Sequence, residues 1–273
     1  MKQGIYCGDN LALLRHLTKS MVRMVYIDPP FNTGKRQVRT QIKTSSSDEG
    51  DRVGFAGKKY KTEVVGQTGY DDQFDDYIGF LGERVKAAKR CMTQDASFFL
   101  HVDYREVHYC KVMMDEIFGR DSFMNEIIWA YDYGGRSKSK WSAKHDNILW
   151  YAMNPDEYVF NYEQAQKVEH QTPQFVGDTT QEDLFGDNRF LGDVWWHTIV
   201  SPTGKEKVGY ATQKPLGILE RLIKVHTNEG DYVLDFFAGS GTTGVAAARH
   251  NRKYILIDKN PEAMIKMTER LVS

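Results

Sequence analysis

Apolar positions along the chain fall into two rhythms, short β-rich runs and longer stretches with helical spacing. Met21 to Ile27, interrupted only by Arg23, reads as a buried parallel strand ending at Asp28. Ala96 to Val102, Phe123 to Ala130, Asn147 to Met153, Tyr232 to Phe236 and Tyr254 to Ile257 carry the same signature, and Ile5–Tyr6–Cys7 is a brief strand. Helical spacing joins Leu11, Leu14 and Leu17 behind an N-cap at Asn10, and Tyr77, Phe80, Leu81, Arg84 and Val85 within 75–92. Two more helices are expected over Arg105 to Phe118, closed by Gly119, and over Pro215 to Thr227, with Leu216, Leu219, Leu222 and Ile223 on one side.

Three stretches follow neither rhythm. From Asn32 to about Gly69, Thr, Ser, Gly and Lys dominate, and a long loop is expected. Between Lys35 and Lys61 there are eight Lys or Arg against three Asp or Glu, which suits either a solvated loop or an arm over a polyanion. The segment Gly134 to Lys144 has four basic residues, no acidic ones, two glycines and Trp141, a composition fit for phosphate and base contacts. Residues 155–195 are polar and partly acidic, with Phe160, Tyr162, Phe175, Leu184, Phe185 and Phe190 as candidates for a small core.

Composition narrows the partners. The 273 residues suffice for one α/β domain and a smaller appended region. A net charge of −1 gives no global basic bias, so a nucleic-acid face must be a local patch. Cys7, Cys91 and Cys110 match neither a zinc pattern nor a disulfide framework, and the eight histidines show no ligand spacing, so no metal is expected. No run approaches transmembrane length, and the expectation is a soluble, cytoplasmic protein without membrane contact.

Two motifs carry the chemistry. In Asp28–Pro29–Pro30–Phe31, two prolines remove backbone donors and hold the chain extended beside a carboxylate and a flat ring, at a strand's C-terminal end. That set suits a planar ring bearing an amino group. Downstream, Phe237–Ala238–Gly239–Ser240–Gly241–Thr242–Thr243–Gly244 fits G-x-G-x-x-G between a strand and the helix Val245 to His250. The next strand ends at Asp258, about 20 residues beyond the first glycine, where an acid can grip ribose hydroxyls. Together they indicate a nucleoside-bearing cofactor, and a nicotinamide or flavin dehydrogenase would use the same pattern. However, the unit comes last in this chain, so a sheet permuted in sequence must complete it, with the N-terminal strands supplying the rest.

Asp-Pro-Pro-Phe upstream, Gln213–Lys214–Pro215 ahead of a helix and Asp235–Phe-Phe-Ala-Gly-Ser-Gly-Thr-Thr downstream resemble the β-type amino-group DNA methyltransferases, which use S-adenosylmethionine. The resemblance implies a doubly wound, mostly parallel α/β sheet of the class I, Rossmann-like methyltransferase kind, with circularly permuted motif order and a small target-recognition region. It divides the chain into a catalytic half over 1–154, a recognition region over 155–195 and a cofactor half over 196–273. It implies that Phe236, Ala238, Gly239, Ser240, Gly241, Thr242 and Thr243, following Asp235, wrap the cofactor's methionine part, with Asp28 beside it. Asp258 would bind the ribose, Asp9 would approach the adenine and Lys214 would line the same pocket. Asp28, Pro29, Pro30 and Phe31 would form the target-base site. Lys35, Arg36, Arg136, Lys138, Lys140 and Trp141 are the expected contacts to double-stranded DNA. A cognate restriction endonuclease and a homodimer are partners such an enzyme can have. An Asp-initiated tetrapeptide favours adenine N6 over cytosine N4 by resemblance. A catalytically silent DNA-binding relative is the alternative of a different class.

Overall fold

The computed structural model describes residues 1–35, 37–46, 52–53, 59–70, 72–135, 137–166, 192–201, 204–210 and 212–272. The chain forms two compact units, Met1–Pro29 with Ile78–Ser273, and Pro30–Tyr77. In chain order the elements are β1 (Gly4–Cys7), α1 (Asn10–Leu14), β2 (Val22–Ile27), β3 (Gln37–Ser46), β4 (Arg52–Val53), β5 (Lys59–Tyr70), α2 (Tyr77–Lys89), β6 (Met92–Val102) and α3 (Val107–Phe118). There follow β7 (Phe123–Ala130), β8 (His145–Ala152), α4 (Tyr162–Gln166), β9 (Val194–Trp196), α5 (Leu216–His226), β10 (Tyr232–Asp235), α6 (Thr242–Arg249), β11 (Lys253–Asp258) and α7 (Pro261–Leu271).

The large unit is built on an eight-stranded sheet in the order β1-β11-β10-β2-β6-β8-β7-β9. Only β8 runs antiparallel to its neighbours. The permutation expected from motif order is realised in the pairings: β1 lies along β11, and β2 along β10. Burial on both faces explains why the central strands read as unbroken apolar runs. Met24, Val25, Tyr26 and Ile27 are all buried, as are Phe98 to Val102. Leu216, Leu219, Leu222 and Ile223 of α5 pack with Met24, Tyr26, Phe99 and Trp150 over one face. Each such side chain contributes about 1.5–3 kcal/mol when fully buried.

The small unit corrects the loop expected over 32–69. β3 and β5 form an antiparallel hairpin from Gln37↔Tyr70 to Ser46↔Tyr60, and β4 adds to β5. The signal was present as β-branched residues at every second position, Val38, Thr40, Ile42 and Thr44. Apolar alternation alone does not reveal it, because Thr, a good strand former, supplies half of it. At the foot of the hairpin the Asp72 carboxylate accepts from the backbone N–H of Asn32 at 2.8 Å and of Thr33 at 3.1 Å.

A second correction concerns α1, whose cap is Asp9 and not Asn10: the Asp9 carboxylate accepts from Ala12 N–H at 2.9 Å. Within 155–195, Phe160 and Tyr162 are both exposed rather than part of a small core, although the Phe160 ring stacks on Trp150 at 5.9 Å. Phe175, Leu184, Phe185 and Phe190 lie outside the described residues. Trp195 is buried beneath the Arg221 guanidinium, 4.5 Å above its ring. No helix among the described residues is long and apolar enough to cross a membrane.

Candidate active site

β2 and β10 lie side by side and both end on a carboxylate, Asp28 and Asp235. The Gln-Lys-Pro element reaches the first of these from the other end of the chain. Gln213 clamps the preceding loop, accepting from Val208 N–H at 2.9 Å and donating to the Glu206 carbonyl at 2.7 Å. The Glu206 carboxylate accepts from Leu216 N–H at 2.6 Å and so satisfies an orphan donor at the start of α5. Between them Lys214 donates to Asp28 Oδ2 at 2.5 Å, with both side chains largely buried. Asp28 Oδ1 is shielded from solvent and has no hydrogen-bond partner among the described residues. A buried carboxylate oxygen without a donor is costly, so a group absent here is expected to supply one. Pro29 is buried, whereas Pro30 and Phe31 belong to the small unit.

The glycine loop follows β10 and is held from every side. Asp235 accepts from Phe237 N–H at 3.0 Å and from the Thr243 hydroxyl at 2.6 Å. Asp258 accepts from Gly239 N–H and from Asn260 N–H, each at 2.8 Å. Ala238 N–H donates to the Ile257 carbonyl at 3.1 Å. Arg270 of α7 reaches back to the Ser240 carbonyl at 2.8 Å and the Thr242 hydroxyl at 3.1 Å. Gly241, at φ +75°, caps α6 in the left-handed region that glycine alone adopts freely. Phe236, Ser240, Thr242 and Thr243 are therefore buried supports whose polar groups build the loop.

On the β1 side, the Asn10 carboxamide donates to the Phe236 carbonyl at 2.8 Å and accepts from Arg84 at 2.6 Å. Arg84 also pairs with Asp9 at 3.3 Å and lies 3.7 Å above the Phe80 ring. Burial lowers the Arg84 pKa, partly offset by Asp9. Both Asp9 oxygens are thus engaged, one by α1 and one by Arg84. Glu206 and Arg270 carry no sequence signal, while Asn10 and Arg84 read only as a helix cap and a helix-face position. No local pattern marks these contacts, because most of their partners lie far away in sequence, as with Arg84 and Asn10 or Arg270 and Ser240.

The expected DNA contacts divide between the units. Lys138, Lys140 and Trp141 lie in the large unit and are exposed, Trp141 at 98 %. Lys35 is exposed in the small unit, and Arg36 and Arg136 lie outside the described residues. Lys144 is folded onto the carbonyls of Tyr133 and Gly134.

Burial first, then Thr243 and Phe237 in opposition and the charges of Asp28 and Asp258 in support, leaves the Asp235 pKa raised to about 7. An acid whose folded pKa exceeds its unfolded value binds more protons in the native state, so its ionisation destabilises the fold as pH rises from about 4 to 7. Asp235→Asn is accordingly expected to match wild type near pH 4 and to be more stable above pH 7. The gain has an upper bound of about 4 kcal/mol. Denaturant titrations at both pH values check this, and an equal offset at each would refute the assignment.

The sequence profile of the DNA methylase family matches residues 22–269. The chain is 26% identical over 273 residues to the type II methyltransferase M.HpaI of Haemophilus parainfluenzae, covering 100% of this chain and 75% of that protein. It is 26% identical over 266 residues to the DNA adenine methyltransferase YhdJ of Escherichia coli, covering 95% and 79%. Among solved structures, it resembles an M1.HpyAVI–SAM complex at TM-score 0.61 and 20% identity, covering 99% of this chain and 98% of that one. It also resembles the cytosine-N4-specific PvuII DNA methyltransferase at TM-score 0.68 and 15% identity, covering 100% and 87%.

Proposed function

The chain belongs to the DNA methylase family whose members act on the amino groups N6 of adenine or N4 of cytosine, and on that premise we propose that it transfers a methyl group from S-adenosylmethionine to adenine N6 in DNA. The observation that carries the reading is Asp28, with one oxygen pinned by Lys214 and the other buried without a donor. An exocyclic amine is that donor. Its lone pair is delocalised into the ring, and hydrogen bonds from its two N–H groups to Asp28 Oδ1 and the Pro29 carbonyl would favour a pyramidal nitrogen. Bound S-adenosylmethionine would supply an already activated sulfonium methyl. Alignment and a dry pocket then matter more than a strong base.

The residues present fit that cofactor. A sulfonium is a cation, and the strand ends offer the Asp28 carboxylate and, as it ionises near pH 7, Asp235, against one ammonium, Lys214. The glycine loop presents backbone at the carboxyl edge of a parallel sheet, where nucleoside ligands bind. Asp258 holds Gly239 through one lone pair of Oδ2 and keeps acceptor capacity for ribose. Calorimetry is expected to show binding of S-adenosylmethionine or its demethylated product and none of NAD; binding of NAD alone would sink the reading.

The Asp-initiated tetrapeptide and the likeness to an adenine methyltransferase support adenine over cytosine. The target atom is inaccessible in the stacked duplex, so the base must be extruded, and Phe31 would stack on it by resemblance. Lys138, Lys140 and Trp141 would hold the backbone and a base, while residues 155–195 would choose the sequence. Lys138→Ala with Lys140→Ala should weaken binding to every duplex and flatten the log–log salt slope by about 0.9 per lost contact. Titration at several salt concentrations tests this. An unchanged slope would mean that the loop is a solvated face.

A further inference from the structure

Beside Asp28, buried polar side chains cross an otherwise apolar sheet. Tyr26 precedes Asp28 by two residues, so strand alternation sends both side chains to the same face. The Tyr26 hydroxyl lies 2.6 Å from His101 Nδ1, and His101 Nε2 lies 3.2 Å from Asp146 Oδ2. The Tyr131 hydroxyl donates to Asp146 Oδ1 at 3.1 Å. Tyr26, His101 and Asp146 are 2%, 0% and 8% exposed.

Proton positions follow from the surroundings. Burial, then the charges of Asp28, Asp235 and Asp146, push the Tyr26 phenol well above its ordinary range, so it keeps its proton beside Nδ1. His101 Nε2 faces the Asp146 carboxylate and donates to it. For Asp146, burial acts to raise the pKa, but the bond and charge of His101, the Lys214 ammonium and Tyr131 outweigh it and hold the group below its ordinary value. Asp146 is thus an anion sharing with Asp28 the field of one lysine. A buried network of this kind is usually no more stabilising than apolar packing, so its presence calls for a reason other than stability.

We propose that Tyr26, His101 and Asp146 form a positioning relay that fixes the Asp28 carboxylate for the base amine. The Tyr26–His101 bond ties the end of β2 to β6, and Asp146 carries the tie to β8. Asp146 also attracts the Lys214 ammonium from a second direction, which holds the Lys214–Asp28 pair in one orientation and leaves Oδ1 for the substrate. The inference rests on the reading of Asp28 as the amine acceptor and adds residues that touch no substrate themselves.

The test measures single-turnover methyl transfer and the dissociation constant of S-adenosylhomocysteine for wild type, Tyr26→Phe, Asp146→Asn and the double variant. Each single variant is expected to lower the transfer rate by roughly 10- to 100-fold, the scale of a misplacement near 1 Å. Cofactor affinity should stay close to wild type, and the double variant should lose less than the product of the two single losses. Tyr151→Phe is the structural control: it removes another partly buried tyrosine–aspartate bond, to Asp115 at 2.6 Å, which joins β8 to α3. It should lower stability and leave the transfer rate per folded molecule unchanged. A wild-type rate per folded molecule in Tyr26→Phe would overturn the relay, and this variant decides the matter if Asp146→Asn fails to fold. Absence of transfer by wild type itself would instead overturn the methyltransferase reading beneath it.

Discussion

Asp28→Ala is expected to lower the rate of methyl transfer by about 10²–10³-fold, the loss typical when a preorganised polar contact to the reacting group is removed. The variant deletes the acceptor that turns the amine lone pair toward the donor and removes the carboxylate that Lys214 pairs with. The fold should survive, because Asp28 lies just beyond the last residue of β2 and, among the described residues, no backbone hydrogen bond depends on its side chain. Asp28→Asn is the sharper companion. It preserves volume and one carbonyl oxygen but turns the carboxylate–ammonium contact into an ordinary hydrogen bond. A smaller loss than for alanine is expected, with circular dichroism and cofactor affinity near wild type. Near-native turnover by Asp28→Ala would remove Asp28 from the chemistry.

Gly241→Val should weaken S-adenosylmethionine binding by about 100-fold, equivalent to roughly 3 kcal/mol. Two costs combine. A β-branched residue at φ +75° is a genuine backbone outlier. A Cβ on Gly241 would stand 2.7 Å from Met267 Cγ, so the buried Met267 side chain must shift and disturb the packing of α7. Because Arg270 of α7 holds Ser240 and Thr242, that displacement reaches the loop directly. Calorimetry and thermal unfolding together test it: lower affinity and lower stability are expected, and unchanged cofactor affinity would show that the loop does not form the pocket.

What could be read from the sequence was whatever is concentrated in contiguous residues. Asp28 to Phe31 and Phe237 to Gly244 announce their chemistry locally, and their order along the chain required β1 and β2 to complete the sheet beside β10 and β11, as they do. Phe123 to Ala130 was legible to the residue from its aromatic and β-branched members Phe123, Ile127, Ile128 and Trp129. What could not be read was which distant atoms meet. Lys214 was recognised as part of a motif, but its pairing with Asp28, 186 residues away, appears only in the fold. Asn10, read as a cap, spans 226 residues to hold Phe236 while its neighbour Asp9 does the capping. The imidazole bonded to Asp146 is that of His101, 45 residues away on the adjacent strand. The hairpin over 37–70 was hidden because threonine carries a strand pattern without looking hydrophobic.

The central claim is methyl transfer to an amino group of a DNA base, and the most direct measurement follows the methyl itself. Purified protein is incubated with unmethylated duplex DNA of mixed sequence and S-adenosylmethionine bearing an isotopically labelled methyl. The DNA is then digested to nucleosides and analysed by mass spectrometry. The account predicts label in N6-methyldeoxyadenosine, abolished by Asp28→Ala. Label in N4-methyldeoxycytidine would keep the family chemistry and contradict the adenine assignment, whereas unlabelled DNA, or label at a ring carbon, would contradict the account itself.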